Sequence, residues 1–159
     1  MYKFVNTLEI FKMIQANKLW VGYGFAGGNA YFKVSPDNAN YAAGVYNPET
    51  GLVKFRNVHW FTNLDTTKRH EEFKLYKTYN AKEHPKYDNY DAIEVSKLAE
   101  IPVDYDGYMG VPITFLDKYN PKQFEIVGLD HHDPEKIGAQ WHLLNGKAPY
   151  RRIIIRKRK

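Results

Sequence analysis

The sequence predicts an α+β domain, mainly of antiparallel or mixed sheet, with one N-terminal helix and long loops. Three observations support this class: one amphipathic helical pattern near the N-terminus, several short stretches rich in β-branched and aromatic residues, and clusters of Asn, Asp, Gly and Pro between them. The chain has 159 residues, enough for a hydrophobic core, and has no repeat or low-complexity segment. We therefore expect residues 1–159 to form a single domain.

The N-terminal segment predicts the helix and two strands. Residues 6–18, NTLEIFKMIQANK, have helical periodicity, with Asn6 as the cap and Glu9 three residues later, as in a capping box. Short strands are predicted at 19–23 and at 29–34, and apolar and polar residues alternate in the second of them.

In the middle of the chain, the secondary-structure signals are clear in some segments and ambiguous in others. Residues 35–51 are dense in Asn, Pro and Gly and predict a loop, whereas residues 52–64, LVKFRNVHWFTNL, give the strongest strand signal in the chain. Residues 65–80 suit a helical turn at their start and a strand at their end. Residues 80–110 are rich in turn-forming residues.

The C-terminal part predicts more sheet. Short strands are expected at 111–116 and 124–128, around a turn. Asn145-Gly146 is a hairpin signal, and it predicts that residues 140–144 pair with residues 150–156.

The composition restricts the setting of the protein. The absence of cysteine excludes a disulfide framework and thiolate catalysis, and is typical of a cytoplasmic protein. No apolar run approaches about 18 residues, and the N-terminus lacks the basic-then-apolar pattern of a signal peptide. We expect a cytoplasmic localisation and no membrane partner.

The positive charge is concentrated at the C-terminus. The formal net charge is +5, from 23 Lys and Arg against 18 Asp and Glu. The last nine residues, RRIIIRKRK, contain six of these cations, so the rest of the chain has 17 cations against 18 acids. Such an end suits contact with phosphate, although a solvated tail has the same composition.

A glycine motif near the N-terminus suggests a nucleotide cofactor but lacks the required context. Gly22, Gly24 and Gly27 match G-x-G-x-x-G, which binds a cofactor when a strand precedes it and a helix follows it. Here a strand-like segment follows and soon meets Pro36, while Glu49, at the right distance for a ribose contact, falls on a turn. We interpret these glycines as loop residues.

Two patterns raise the possibility of metal chemistry. Asp65, Glu72 and Lys74 have the spacing of D…E-x-K nucleases, although E-x-K is common by chance. DHHD at 130–133, with His142, contains metal-ligand types, but adjacent histidines on an extended segment point to opposite faces. The sequence therefore predicts no metal site.

Five segments resemble adenine-specific DNA methyltransferases of the EcoRI type, and together they cover nearly the whole chain. The similarity is specific, because residues 101–128 are long and idiosyncratic. Four segments resemble the C-terminal half of these enzymes, and the segment at 7–32 resembles the part just after the catalytic half. The segments are TLEIFKMIQANKLWVGYGFAGGNAYF (7–32), VHWFTNLDTTKRHEEFKLYKTY (58–79), HPKYDNYDAIEVSK (84–97), IPVDYDGYMGVPITFLDKYNPKQFEIVG (101–128) and LNGKAPYRRIIIRKRK (144–159).

The resemblance implies a fold equivalent to the C-terminal part of an adenine methyltransferase. Family members transfer a methyl group from S-adenosylmethionine to N6 of a flipped adenine. Their Asn-Pro-Pro-aromatic motif lies upstream of the part resembled here, and this sequence lacks it. We therefore expect no catalytic residue and no cofactor site in these residues, and a role in DNA recognition or in completing the fold of a catalytic half.

Three groups of residues suit contact with DNA. They are a basic cluster after the strongest strand signal, tyrosines in the turn-rich region, and the basic C-terminus. Each group also has a structural alternative, since Arg69 could pair with an acid nearby, the tyrosines could pack under their own turns, and the tail could be a solvated end. The candidate DNA-binding residues are Asn63, Lys68, Arg69, His70, Tyr87, Tyr105, Tyr108, Arg151, Arg152, Arg156, Lys157 and Arg158.

Other functions and partners remain open. The chain could be a stand-alone, non-catalytic DNA- or protein-binding protein derived from this family, such as a restriction-modification decoy, or a metal-dependent nuclease. We expect the helix at 7–18 to expose apolar surface to a catalytic half or a second copy. DNA binding is expected to be weak, salt-sensitive and carried by the C-terminal hairpin, whose residues 156–159 should be dispensable for the fold.

Overall fold

A computed structural model describes residues 8–22, 29–35, 37, 44–56, 60–130 and 142–159, and confirms the α+β class. Short 3₁₀ helices lie at Thr67–His70, Leu98–Glu100 and Ile113–Asp117. In these ranges none of the helices is long and apolar enough to cross a membrane. The helix and strands are α1 (Leu8–Gln15), β1 (Trp20–Val21), β2 (Asn29–Lys33), β3 (Tyr46–Asn47), β4 (Leu52–Arg56), β5 (Phe61–Thr62), β6 (Ala92–Glu94), β7 (Tyr108–Pro112), β8 (Phe124–Leu129) and β9 (Arg152–Lys157).

The strands form three sheets. Strands β1 and β5 make an antiparallel pair, and β2, β4 and β3 make a three-stranded antiparallel sheet in that order. The largest sheet has the order β6-β7-β9-β8. Its first pair is parallel and the other two are antiparallel, with a register shift in β8 between Ile126 and Gly128. The C-terminal strand β9 therefore lies inside this sheet, between β7 and β8.

The hydrophobic core lies on one face of the four-stranded sheet. Met109, Val111, Ile153 and Ile155 alternate along β7 and β9 and are buried on this face. The helix α1 joins the same core through its buried apolar stripe, Phe11 and Ile14. The predicted cap, Asn6, lies outside the described residues.

The opposite face of this sheet is polar. Gly110 in β7 pairs with Glu94 in β6 and with Ile154 in β9, so these three residues share a face. Arg152 lies two residues from Ile154 along β9, and Tyr108 lies two residues from Gly110 along β7. Both therefore belong to the same face. This surface is named the polar face below.

Four of the predicted segments differ from the observed elements, because tertiary pairing overrides local pattern. The strand expected at 52–64 is two strands in different sheets, β4 and β5, with residues 57–59 outside the described ranges. The turn-rich region at 80–110 contains β6 and the start of β7. The loop at 35–51 contains β3, and the strand expected at 111–116 stops at Pro112, where a 3₁₀ helix begins.

The C-terminal hairpin was predicted correctly at its turn but wrongly in its partner strands. Asn145 and Gly146 have positive φ angles of 52° and 72°, and Leu144 bridges Lys147 across them. Strand β9 pairs with β7 and β8 and not with the described residues before this turn, 142–144, while residues 140 and 141 lie outside the described ranges. The tail is therefore a central strand and not one arm of an exposed hairpin.

Candidate nucleic-acid interface

The basic cluster predicted from the sequence forms one short element. Lys68, Arg69 and His70 are consecutive in the 3₁₀ helix Thr67–His70, where three residues complete a turn and the side chains point in different directions. The entry to this helix is fixed locally, because the Thr66 amide donates to the Asp65 carboxylate at 3.0 Å. We call residues 67–70 the basic turn.

Arg69 is held in a defined position on the N-terminal part of the chain. Its guanidinium carbon lies 3.4 Å from the centre of the Trp20 ring, and its Nη2 donates to the Asn17 side-chain oxygen. The Trp20 indole is fixed in turn, since its Nε1 donates to the Leu64 carbonyl at 3.0 Å. Burial lowers the pKa of Arg69 below its ordinary value. The stacking fixes the plane of the five-donor guanidinium, and its Nε atom is buried.

The neighbouring histidine makes a separate contact. His70 Nε2 lies 2.7 Å from Asp65 Oδ1. This hydrogen bond is the main reason why the pKa of Asp65 is lowered from its ordinary value. Asn63, the remaining predicted residue of this region, is exposed.

The segment after the basic turn is tied to the large sheet by two amide side chains. Gln123 pairs with both backbone groups of Phe73, at 2.9 Å to the amide and 2.7 Å to the carbonyl. Asn120 donates to the carbonyl of Glu71 at 3.1 Å. The basic turn is therefore anchored on both sides, at β1 and at the start of β8.

A buried ion pair lies at the centre of the polar face. Arg152 Nη2 and Glu94 Oε1 are 2.6 Å apart, and both side chains are enclosed, at 11% and 4% exposed. The hydroxyl of buried Tyr87 donates to the same carboxylate, and burial raises the pKa of Tyr87 far above its ordinary value. Two predicted DNA-contact residues, Arg152 and Tyr87, are thus interior residues that DNA cannot reach without unfolding.

Aromatic rings connect this ion pair with the surface. The His142 ring lies 5.2 Å from Tyr87 and 4.6 Å from Tyr90, and Tyr90 stacks on Tyr108 at 6.1 Å. At the outer end, the guanidinium of exposed Arg156 lies 5.5 Å from the Tyr108 ring. Tyr108 is half-buried in this column, so its ring is already stacked within the protein.

Two of the other predicted cations of the tail pair with nearby acids, and a third contacts the backbone. Arg156 pairs with Glu125 at 2.7 Å, and Lys157 lies 3.5 Å from Asp106. Arg158 Nε donates to the Phe124 carbonyl at 3.3 Å. These contacts keep the end of β9 on the body of the protein. Of the two predicted residues left, Arg151 is half-buried, and Tyr105 stacks on Tyr79 at 4.9 Å.

The residues of the hypothetical nuclease site have separate surroundings. Asp65 contacts His70, whereas Glu72 borders a shallow depression with Lys68 and Phe73. No group of three or more His, Cys, Asp or Glu side chains is close enough to hold a metal ion among the residues that the structure describes. Of the DHHD segment only Asp130 is described, and it is buried 3.4 Å from His142.

Sequence reasoning missed the residues that position the site. Asn17 and Trp20 were interpreted only as helix and strand residues, and Glu94 was placed in a turn. The two-residue period of strand β9 carries a signal for Arg152, because a residue two positions from Ile154 must share a face with it. That signal identifies the sheet face on which Arg152 lies, but it does not identify Glu94 as the residue that pairs with it.

The chain was compared with known proteins. A family model described as adenine-specific methyltransferase EcoRI matches residues 2–158. The chain is 40% identical to the type II methyltransferase M.EcoRI of Escherichia coli over 166 residues, which cover 98% of this chain and 48% of that protein. It is 38% identical to the type II methyltransferase M.MgeORF184P of Mycoplasma genitalium, covering 96% of this chain and 54% of that protein.

A third relative is also matched by nearly the whole chain over about half of its own length. The type II methyltransferase M.MpnI of Mycoplasma pneumoniae is 34% identical, with 97% of this chain and 54% of that protein covered. No solved structure gives a significant match. The chain spans about half the length of these relatives and corresponds to their C-terminal half. The chain belongs to the EcoRI-type adenine-specific methyltransferase family.

Proposed function

We propose that these residues form the DNA-recognition and fold-completing C-terminal part of an adenine-N6 DNA methyltransferase of the restriction-modification type. The observation that carries the proposal is the match of nearly the whole chain to the C-terminal half of three type II methyltransferases. The basic turn supports it, since it presents three consecutive side chains that can donate hydrogen bonds to phosphates or base edges.

Arg69 is the residue of the basic turn best suited to read a base. A bidentate arginine contact needs a planar group held in a fixed direction, and the Trp20 ring and Asn17 provide this before DNA arrives. Lys68 carries a compact charge on a flexible stem and suits a phosphate. The two neighbours therefore have different expected roles.

Substitution of Arg69 is expected to change sequence preference more than that of Lys68. Arg69→Ala should reduce the affinity ratio between the preferred and a scrambled duplex by about 5- to 100-fold, the value of one good base contact. Lys68→Ala should weaken binding to both duplexes and lower the salt slope by about 1. Fluorescence anisotropy titrations measure both. Equal losses on both duplexes for Arg69→Ala would contradict the base-reading role, and no binding by the unmodified chain would contradict the proposed function.

We also propose that S-adenosylmethionine binding requires the rest of the family enzyme. Gly24 and Gly27 lie outside the described residues, and the next described element is strand β2, not the helix that a pyrophosphate or methyl-donor loop requires. Calorimetric titration of the 159-residue chain with S-adenosylmethionine is expected to give no heat of binding. Micromolar binding at one site would overturn this expectation, and methylation of duplex DNA by the chain alone would overturn the non-catalytic role.

A catalytic half is the proposed partner of the N-terminal region. Phe11 and Ile14 of α1 are buried in the core, so the helix exposes less apolar surface than its sequence suggested. Met13 is 42% exposed and Leu64 is 70% exposed, and these side chains are candidates for the contact. The alternative is that a second copy of the chain binds the same region. Light scattering of the chain with and without a separately expressed N-terminal half distinguishes the two.

A further inference from the structure

One face of the three-stranded sheet combines cations with an aromatic ring. In this sheet Tyr31 lies opposite Lys54, and Lys33 lies opposite Leu52. Directly opposed residues of antiparallel strands share a face, as do residues two apart along one strand. Tyr31, Lys33 and Lys54 therefore lie on a common face, named the lysine face here. Tyr31 is 56% exposed, so the face is open to a ligand.

Among the described residues, the lysine face differs from the tail in its ion pairs. Neither Lys33 nor Lys54 forms an ion pair with an acid in the described part of the chain. The Lys54 amino group instead lies 6.0 Å from the centre of the Tyr31 ring. In the tail, by contrast, Arg156 and Lys157 each have a carboxylate partner. An anion at the lysine face would thus gain attraction without displacing a carboxylate partner in the described part of the chain.

A groove adjoins this face. Residues 44–50 form its other wall, and Tyr31, Leu52 and Lys54 contribute to its floor. Its volume is about 590 Å³, within the range of sites that hold small molecules of nucleotide size. Glu49 is the only acid among the described residues that line it.

We propose that the lysine face binds one strand of DNA, with Lys33 and Lys54 on its phosphates and the Tyr31 ring stacked on an unpaired base. Single-stranded nucleic acid is bound by this combination of a cationic groove with an exposed aromatic ring. The proposal rests on the proposed function, since DNA is the ligand in both. It adds the three-stranded sheet as a second DNA-binding surface, on which the sequence predicted no candidate DNA-contact residue.

The lysines are tested by the salt dependence of DNA binding. The double variant Lys33→Gln/Lys54→Gln is expected to lower the slope of log K against log salt by about 1.4, because each phosphate contact on a single strand contributes about 0.7. Between 50 and 200 mM salt, the affinity of the unmodified chain should therefore fall roughly 7-fold more than that of the variant. The matched control is Lys82→Gln/Lys147→Gln, which removes the same charge from two exposed lysines elsewhere. Anisotropy titration of a labelled single strand measures both.

The stacking of Tyr31 is tested separately. Tyr31→Ala is expected to weaken single-strand binding by roughly 10-fold, the loss typical of one base–aromatic stack, and fully paired duplex binding by much less. Tyr76→Ala is the control, because Tyr76 is 80% exposed and lies outside the face. Photo-crosslinking of a strand that contains 5-iodouracil, followed by peptide mapping, should identify the peptide that contains Tyr31.

The outcomes separate this proposal from the proposed function. If the unmodified chain binds DNA but the lysine variant behaves like its control, the lysine face is not the binding surface and the proposed function stands. If crosslinks map only to residues 67–70, the basic turn alone holds the strand and the proposal is wrong. If the unmodified chain binds neither single-stranded nor duplex DNA, both proposals fail. Circular dichroism of each variant establishes that the fold is retained.

Discussion

Glu94→Ala is expected to lower the free energy of unfolding by about 3–5 kcal/mol, because it leaves the Arg152 guanidinium buried without a counter-ion. Glu94 accepts hydrogen bonds from both Arg152 and Tyr87, so one truncation removes the acceptor of two buried donors. Urea denaturation followed by circular dichroism gives the change. At about 2–4 °C per kcal/mol for a domain of this size, the melting temperature should fall by roughly 10 °C.

The exposed ion pair of the same sheet provides the control. Glu125→Ala breaks the pair with Arg156, where both side chains are well exposed and the expected loss is at most about 1 kcal/mol. A double-mutant cycle of Glu94→Ala with Arg152→Ala should give a coupling of about 0.5–3 kcal/mol. A loss below about 1 kcal/mol for Glu94→Ala, equal to that of Glu125→Ala, would show that water reaches the Arg152 guanidinium.

Gly110→Ala is expected to destabilise the same region by about 2–3 kcal/mol through steric conflict. A Cβ atom at Gly110 would lie 2.9 Å from both Cε2 and Cζ of the Tyr87 ring and closer still to its hydroxyl. Tyr87 cannot move aside easily, because its ring is buried and its hydroxyl is bonded to Glu94. Thermal unfolding measures the loss.

A compensating change tests the cause. Tyr87→Phe removes the oxygen nearest the new Cβ, so it should cost less in the Gly110→Ala background than in the unmodified chain. Gly107→Ala is the control: its Cβ would also meet a tyrosine ring, but Tyr105 is only half-buried and can shift. Equal effects at the two glycines would contradict the idea that burial of the Tyr87 ring makes the conflict severe.

The sequence predicted those parts of the fold that depend on local pattern. The helix, strands β1, β2 and β8, and the Asn145-Gly146 turn are set by side-chain periodicity or by backbone preference, which a short window contains. Strand β6 was missed because it is only three residues long, and its stability comes from the parallel pairing with β7. Such a pairing is not visible in either segment alone.

The candidate site was predictable to the same extent. The basic turn is contiguous, so its composition identified it. Arg152 looked the same as its neighbours in RRIIIRKRK, and only its pairing with Glu94, 58 residues away, places it inside. The lysine face was invisible for a related reason, since Tyr31 and Lys54 meet only through the register of β2 and β4. A count of charged residues along the sequence cannot show which of them meet on one face of the folded protein.

The position of β9 has a consequence for the order of folding. Strands β7 and β8 do not pair with each other, and each meets β9 instead. During synthesis both strands leave the ribosome before residues 152–157, and until then each has an unpaired edge that can recruit another chain. Closure of the sheet must wait for contacts between distant segments, which makes folding slow compared with that of a helical domain of equal size. Chaperone dependence and aggregation of nascent chains should therefore peak just before β9 emerges.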